Sequence, residues 1–116
     1  VVSILSGLTV EELRAALPEA GRHFQMMPNL AVQVGEGVIA VEEHASYSEA
    51  VRQQLEELFA PLGHLFWAAA EKMRAISVLS GSSPALFALF IEALLDAGVA
   101  MGLPTSEALP LLLQSV

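Results

Sequence analysis

Hydrophobic and polar positions follow two different rhythms along this chain, and the change falls near Ala70. Upstream, short apolar runs are set off by glycine, proline and charged residues. Val1–Leu5, His23–Met27, Gly37–Glu42 and His64–Trp67 each have the length and content of a buried strand. Pro28 closes the second run, because it has no amide hydrogen to give a ladder. Two stretches of helical period lie between the runs. The first opens at Thr9-Val10-Glu11-Glu12, a capping box in which the Thr9 hydroxyl meets the Glu12 amide and the Glu12 carboxylate returns to the Thr9 amide. Leu8 and Leu13 supply the staple. This helix is expected to bury Val10, Leu13 and Leu17 and to end near Pro18 and Gly21. Ser46-x-x-Glu49 reads as a second capping box, opening a helix that buries Val51, Leu55, Leu58 and Phe59 and ends at Pro61-Leu62-Gly63. Short apolar strands alternating with helices make βαβ units, with parallel strands covered on both faces.

From Ala70 onward the period is helical throughout. A helix through Met73, Ile76 and Leu79 is expected to stop at Gly81, the natural C′ residue, with Ser83 and Pro84 as N-cap and N1 of the next. From Pro84 to Leu103 no polar face is visible: Leu86, Phe87, Leu89, Phe90, Ile91, Leu94, Leu95, Val99 and Met101 point all round. One small domain can hardly bury such a helix. It either spans a membrane or lies sandwiched between subunits. Glu92 and Asp96 sit near its middle, and each acidic group at a bilayer centre costs about 2.5 to 3.5 kcal/mol, which favours the subunit interface. Gly98 and Gly102 either let another helix approach closely or, for Gly102, simply end the helix before Pro104. A last helix starts at Thr105 or Ser106, and Pro110 either restarts or kinks it.

Composition sharpens this picture. Hydrophobic residues make up 54% of 116, high for a free-standing domain, so another chain or further sequence should cover part of the surface. Five basic residues against 13 acidic ones give a net charge of −8, which argues against phosphate-backbone binding and against an anionic membrane surface as partner. There is no cysteine, hence no disulfide framework or thiol chemistry. The N-terminus has neither the basic region nor the cleavage site of a signal peptide, and the expected setting is cytoplasmic. About four strands are too few for a doubly wound sheet, and both ends look cut from something larger, so the chain is expected to be a fragment.

Leu79-Ser80-Gly81-Ser82-Ser83-Pro84-Ala85, followed by the run from Phe90 to Pro104, resembles the opening of the dimerisation domain of pyrroline-5-carboxylate reductase. The likeness extends upstream to Val2–Leu8 and to Met27-Pro28-Asn29, in the family's order. The resemblance implies an α/β then all-α fold: residues 1–69 as the C-terminal part of a Rossmann-like parallel-sheet domain that binds NAD(P), and 70–116 as the start of a helical dimerisation domain. It implies hydride transfer from NADPH or NADH to the C=N bond of 1-pyrroline-5-carboxylate, giving L-proline. It implies a homo-oligomer, at least a dimer through the Pro84–Leu103 helix, acting on a small molecule, with no role for nucleic acid or membrane. The family's Ser-Pro-Gly-Gly-Thr-Thr type substrate loop and its glycine fingerprint are not in these residues. Two other readings stay open, a non-catalytic helical dimerisation module and a related imine or β-hydroxyacid reductase.

The resemblance also points to residues. Leu5, Ser6 and Gly7 follow a strand end, where open α/β sheets bind ligands, and are either a cofactor-binding loop or a plain turn. The family commonly has two alanines before this glycine, lying along the nicotinamide half of the cofactor. Leu5 and Ser6 are bulkier. Asn29 is either a cofactor ligand or a turn cap, and Leu30-Ala31 replaces the family's Thr-Pro. Glu71 either serves first-turn helix electrostatics or, as in the family, lies near the substrate nitrogen. Gly35-Glu36-Gly37-Val38-Ile39-Ala40 matches G-x-G-x-x-A, but a strand follows it where the dinucleotide motif needs a helix, so it reads as a glycine turn. No catalytic residue is singled out. His23, His44 and His64 lack metal-ligand spacing, and Ser80, Ser82 and Ser83 have no nearby base in sequence.

Overall fold

The computed structural model describes residues 1–116 and divides into two compact units, Val1–Gly81 and Ser82–Val116. In the first unit a four-stranded sheet runs β1 (Val2–Ser3), β2 (Phe24–Pro28), β3 (Gly37–Glu42) and β4 (Gly63–Ala68) in spatial order β1-β2-β3-β4. Helix α1 (Val10–Ala16) makes the crossover between the parallel pair β1 and β2. Helix α2 (Glu49–Phe59) makes the one between the parallel pair β3 and β4.

The central pair departs from the expected parallel arrangement. β2 and β3 are antiparallel, Met27 opposite Ala40. A parallel crossover needs a dozen or more residues, whereas the link from Asn29 to Glu36 holds only one 3-10 turn, Leu30–Val34, ended by Gly35 at φ 77°. The G-x-G-x-x-A stretch is thereby the turn and the start of β3. Gly37 stands opposite Gly63 in the register.

Strand alternation sorts side chains between the two faces. Phe24, Met26, Ile39 and Val41 turn toward α2 and form the core with Tyr47, Val51 and Leu55. Gln25, Met27, Ala40 and Glu42 occupy the alternate positions of the same strands.

The helix ends show which local signals won. At α1 the capping box forms as read: Glu12 N–H donates to the Thr9 hydroxyl, and Thr9 N–H donates to Glu12 Oε2 at 2.8 Å. The two bonds from Thr9 hold the Glu12 carboxyl below its usual range, the backbone bond contributing most. Leu17, expected in the core, has left the helical conformation at the C-cap and is exposed. The second capping box does not form. Ser48 caps α2 by accepting from Val51 N–H, which leaves Glu49 as the first helical residue, while Ser46 bonds His44. Starting the helix there turns Leu58 outward, 69% exposed, while Val51 and Leu55 are buried and Phe59 packs on the core's edge.

Helix α3 (Ala70–Ile76) is followed without a break by a π-helical stretch, Ser77–Ser82, and then by α4 (Ser83–Ala100). The expected stop at Gly81 is absent. Gly81 is not among the glycines with positive φ, so it continues the helix. By length and composition Ala70–Ala100 is long and apolar enough to cross a membrane.

In the second unit α4 ends in a Schellman motif. Leu103 N–H donates to Gly98 O and Gly102 N–H to Val99 O, with Gly102 at φ 102°. Gly102 is therefore the C′ residue, not a helix-packing position. A Cβ on Gly98 would rest 3.6 Å from Ala108 Cβ, an ordinary contact. Helix α5 (Thr105–Ser115) packs against α4 and carries Pro110 within it, without a restart.

Candidate functional site

The turn after β1, the alternate-position residues of β2 and β3, and the start of α3 enclose a cavity of about 420 Å³ in the first unit. Ser6 and Gly7 form one wall, Gln25 and Glu42 come from the strands, and Arg74 and Ser77 from the α3 side. Gly7 makes the turn at φ 80°, in the left-handed region that a side chain disfavours.

Two of these side chains are buried and polar. Glu42 is 5% exposed, and both its carboxylate oxygens accept from Val10 N–H at 3.2 Å, so it occupies the start of α1. Gln25 is 2% exposed; its Nε2 donates to Leu5 O at 2.7 Å, and its Oε1 has no partner. Gln25 thus fixes the Leu5 carbonyl and with it the path of the loop. Ser3 Oγ accepts from Leu5 N–H at 3.3 Å, so the backbone of Leu5 is held from both sides while its side chain stands 65% exposed.

Of the residues singled out from the sequence, Ser6 and Gly7 line this cavity and Leu5 adjoins it through Gln25. Asn29 and Glu71 are not in its lining. Asn29 is engaged at both ends of its amide: Oδ1 accepts from Val38 N–H at 3.0 Å and Nδ2 donates to Ser80 O at 3.3 Å. Glu71 is exposed in the first turn of α3, one position after Ala70, which does line the cavity. Gln25, Glu42 and Arg74 were not legible as site residues. The only signal for the first two is an amide and a carboxylate inside otherwise apolar strand runs.

A second cavity, of about 570 Å³, lies beside α1 and includes Arg14, Arg22, His23 and Tyr47. Next to it His44 bonds Ser46 Oγ through Nδ1 at 2.7 Å and Glu11 Oε1 through Nε2 at 2.8 Å. Ser46 N–H also donates to that Nδ1, which makes the arrangement a turn lock.

Tyr47 donates its hydroxyl to His23 O. Burial pushes its pKa up from 10 to about 12, with the Glu42 charge acting in the same direction. The folded state therefore keeps the phenol neutral where the unfolded chain has lost the proton. Its contribution to stability is complete below about pH 10 and disappears as pH rises through about 12. Because the chain has one tyrosine, phenolate absorbance reads this residue alone. The expected titration midpoint is near 12 when folded and near 10 in denaturant.

An α/β unit of three pairings, parallel, antiparallel and parallel, followed by a helical unit whose long helix is apolar all round, defines the class. Residues 70–116 match the family model described as pyrroline-5-carboxylate reductase dimerisation. Over its whole length the chain is similar to pyrroline-5-carboxylate reductases. The relative from Aquifex aeolicus is 34% identical over 116 residues, which are 44% of that protein, and the one from Synechocystis is 34% identical over 43% of its length. Among solved structures, 98% of the chain superposes on 44% of the 1-pyrroline-5-carboxylate reductase of Streptococcus pyogenes, with TM-score 0.88 and 29% identity. The Plasmodium falciparum pyrroline carboxylate reductase, solved with NADP bound, gives TM-score 0.83 at 30% identity, with 46% of that chain covered. The chain thus spans less than half the length of the relatives it matches.

Proposed function

We propose that this chain is part of a pyrroline-5-carboxylate reductase, an NAD(P)H-dependent oxidoreductase acting on a C=N bond, with the change from nucleotide-binding to dimerisation domain at Ala70. The observation that carries this is the similarity along the entire chain, in both the sheet unit and the helices, to proteins of that name. In this reading the protein reduces 1-pyrroline-5-carboxylate to L-proline. NADPH or NADH supplies the hydride when bound, and the protein's work is to bind and orient.

The loop Leu5-Ser6-Gly7 is the chain's contribution beside the nicotinamide. Its backbone is held rigid by Ser3 and Gln25, which favours a fixed cofactor position. Asn29 supports the cofactor site from the end of β2, and Glu71 lies toward the substrate nitrogen. The exposed apolar surface of α4 pairs with a second copy of the chain, which accounts for a helix that is apolar all round yet carries Glu92 and Asp96 exposed at its middle. The setting is cytoplasmic, without nucleic acid or membrane partners.

The 116 residues are expected neither to bind the nucleotide tightly nor to turn over by themselves. A longer polypeptide containing them is expected to consume NADPH or NADH only when 1-pyrroline-5-carboxylate is added, followed by nicotinamide absorbance. Consumption that is independent of that substrate, or turnover by the 116 residues alone, would contradict this assignment.

A further inference from the structure

The helix that leaves the sheet contains a stretch of π-helix, Ser77–Ser82, and just after it Pro84. In an unbroken α-helix the carbonyl of Ser80 would accept from the amide of residue 84, but proline has no hydrogen there. That carbonyl instead accepts from Asn29 Nδ2 at 3.3 Å. The same Asn29 side chain accepts from Val38 N–H at 3.0 Å, and its backbone N–H donates to Val38 O at 3.0 Å. One amide thereby connects the β2–β3 turn to the point where the helix changes register. Ser80 Oγ donates to Ile76 O at 2.9 Å within the same stretch. The π-helical stretch begins at Ser77, which lines the cavity together with Arg74 one turn earlier.

We infer that Asn29 is a positioning residue: its Nδ2 serves the Ser80 carbonyl, whose α-helical donor position is taken by the hydrogen-less nitrogen of Pro84, and so fixes the π-helical register of the stretch that begins at Ser77 in the cavity wall. Single-residue insertions of this kind sit frequently at functional sites. Asn29 supplies the partner of the Ser80 carbonyl from the sheet. The inference concerns the shape of the wall and holds whatever ligand the cavity takes.

The decisive experiment is a double-mutant cycle of Asn29→Ala and Pro84→Ala, read by amide hydrogen exchange of residues 77–85. A net neutral hydrogen bond corresponds to about a five- to tenfold change in an opening equilibrium. With Pro84 present, Asn29→Ala is expected to speed exchange in that stretch by about that factor. In the Pro84→Ala background the helix supplies its own donor to Ser80, and the same substitution is expected to change exchange less than about twofold. Loss of the Val38 bond is common to both arms and cancels. An equal effect in both backgrounds, or none in either, would overturn the inference. Asn29→Asp is the second variant, for the case that Asn29→Ala does not fold. It keeps an acceptor for Val38 N–H but has no hydrogen for Ser80, so exchange must rise in 77–85 while the Val38 amide stays protected. Equal loss of protection at both places would also overturn the inference.

Discussion

Gly63→Ala is expected to unfold the sheet unit at ordinary temperature. A Cβ there would lie 2.0 Å from Gly37 O and 2.4 Å from Gly37 N, both backbone atoms that cannot turn aside. Gly63 also stands at φ 132°, where a side chain is strained whatever the space. Its partner in the register is Gly37, at the start of β3, where a Cβ would meet Val32 Cγ1 at 2.3 Å and Leu62 O at 2.8 Å. The two strands approach here as closely as backbone allows, and either β3 or β4 would have to move. A loss above about 4 kcal/mol is expected, a large share of the stability of a domain this size. Urea unfolding of the purified protein measures it. Gly7→Ala is the contrast: Gly7 has φ 80° but nothing within 4 Å of its Cβ position, so only the backbone preference is lost, about 1 kcal/mol.

That pair of glycines shows how much was legible in the sequence. The turn at Gly35-Glu36-Gly37 and the limits of β3 follow from local residue types: glycine, then a β-branched and apolar run. The need for glycine at both 37 and 63 does not, because it arises from two strands meeting across a helix and a turn. The same division holds for capping. Thr9 and Glu12 signal their box locally and form it. Ser46 and Glu49 carry the same spacing, but Ser48 is equally able to cap, and the burial of Val51 and Leu55 together decides the start of α2. At Gly81 the local stop signal is not used, and the helix runs on through the π-helical stretch into α4. At the site, Ser6 and Gly7 could be placed from the strand end that precedes them. Gln25 and Glu42 could not, because their role depends on which face of β2 and β3 meets the cavity.

A second large effect is expected at α4. Leu86, Phe87, Leu89 and Phe90 are each at least 61% exposed in the single chain. Burying one such side chain is worth about 1.5 to 3 kcal/mol, and aromatic anchors dominate protein interfaces. Phe87→Glu combined with Phe90→Glu, which lie on neighbouring positions of one helix face, is expected to weaken self-association by about a thousandfold. Sedimentation equilibrium should then show monomer where the unsubstituted protein is expected to be at least a dimer. Because both positions face outward in the single chain, circular dichroism should show the helix intact. An unchanged oligomer mass for the doubly substituted protein would mean that α4 is not the contact.

Reduction of 1-pyrroline-5-carboxylate is tested most directly by following the hydride itself. The longer polypeptide containing this chain is given 1-pyrroline-5-carboxylate and NADPH that carries deuterium at both C4 positions. The expected product is L-proline bearing one deuterium at C5, detected by mass spectrometry, formed in step with loss of the reduced nucleotide. Proline without deuterium, or no proline from folded protein of the expected oligomer mass, would contradict the assignment.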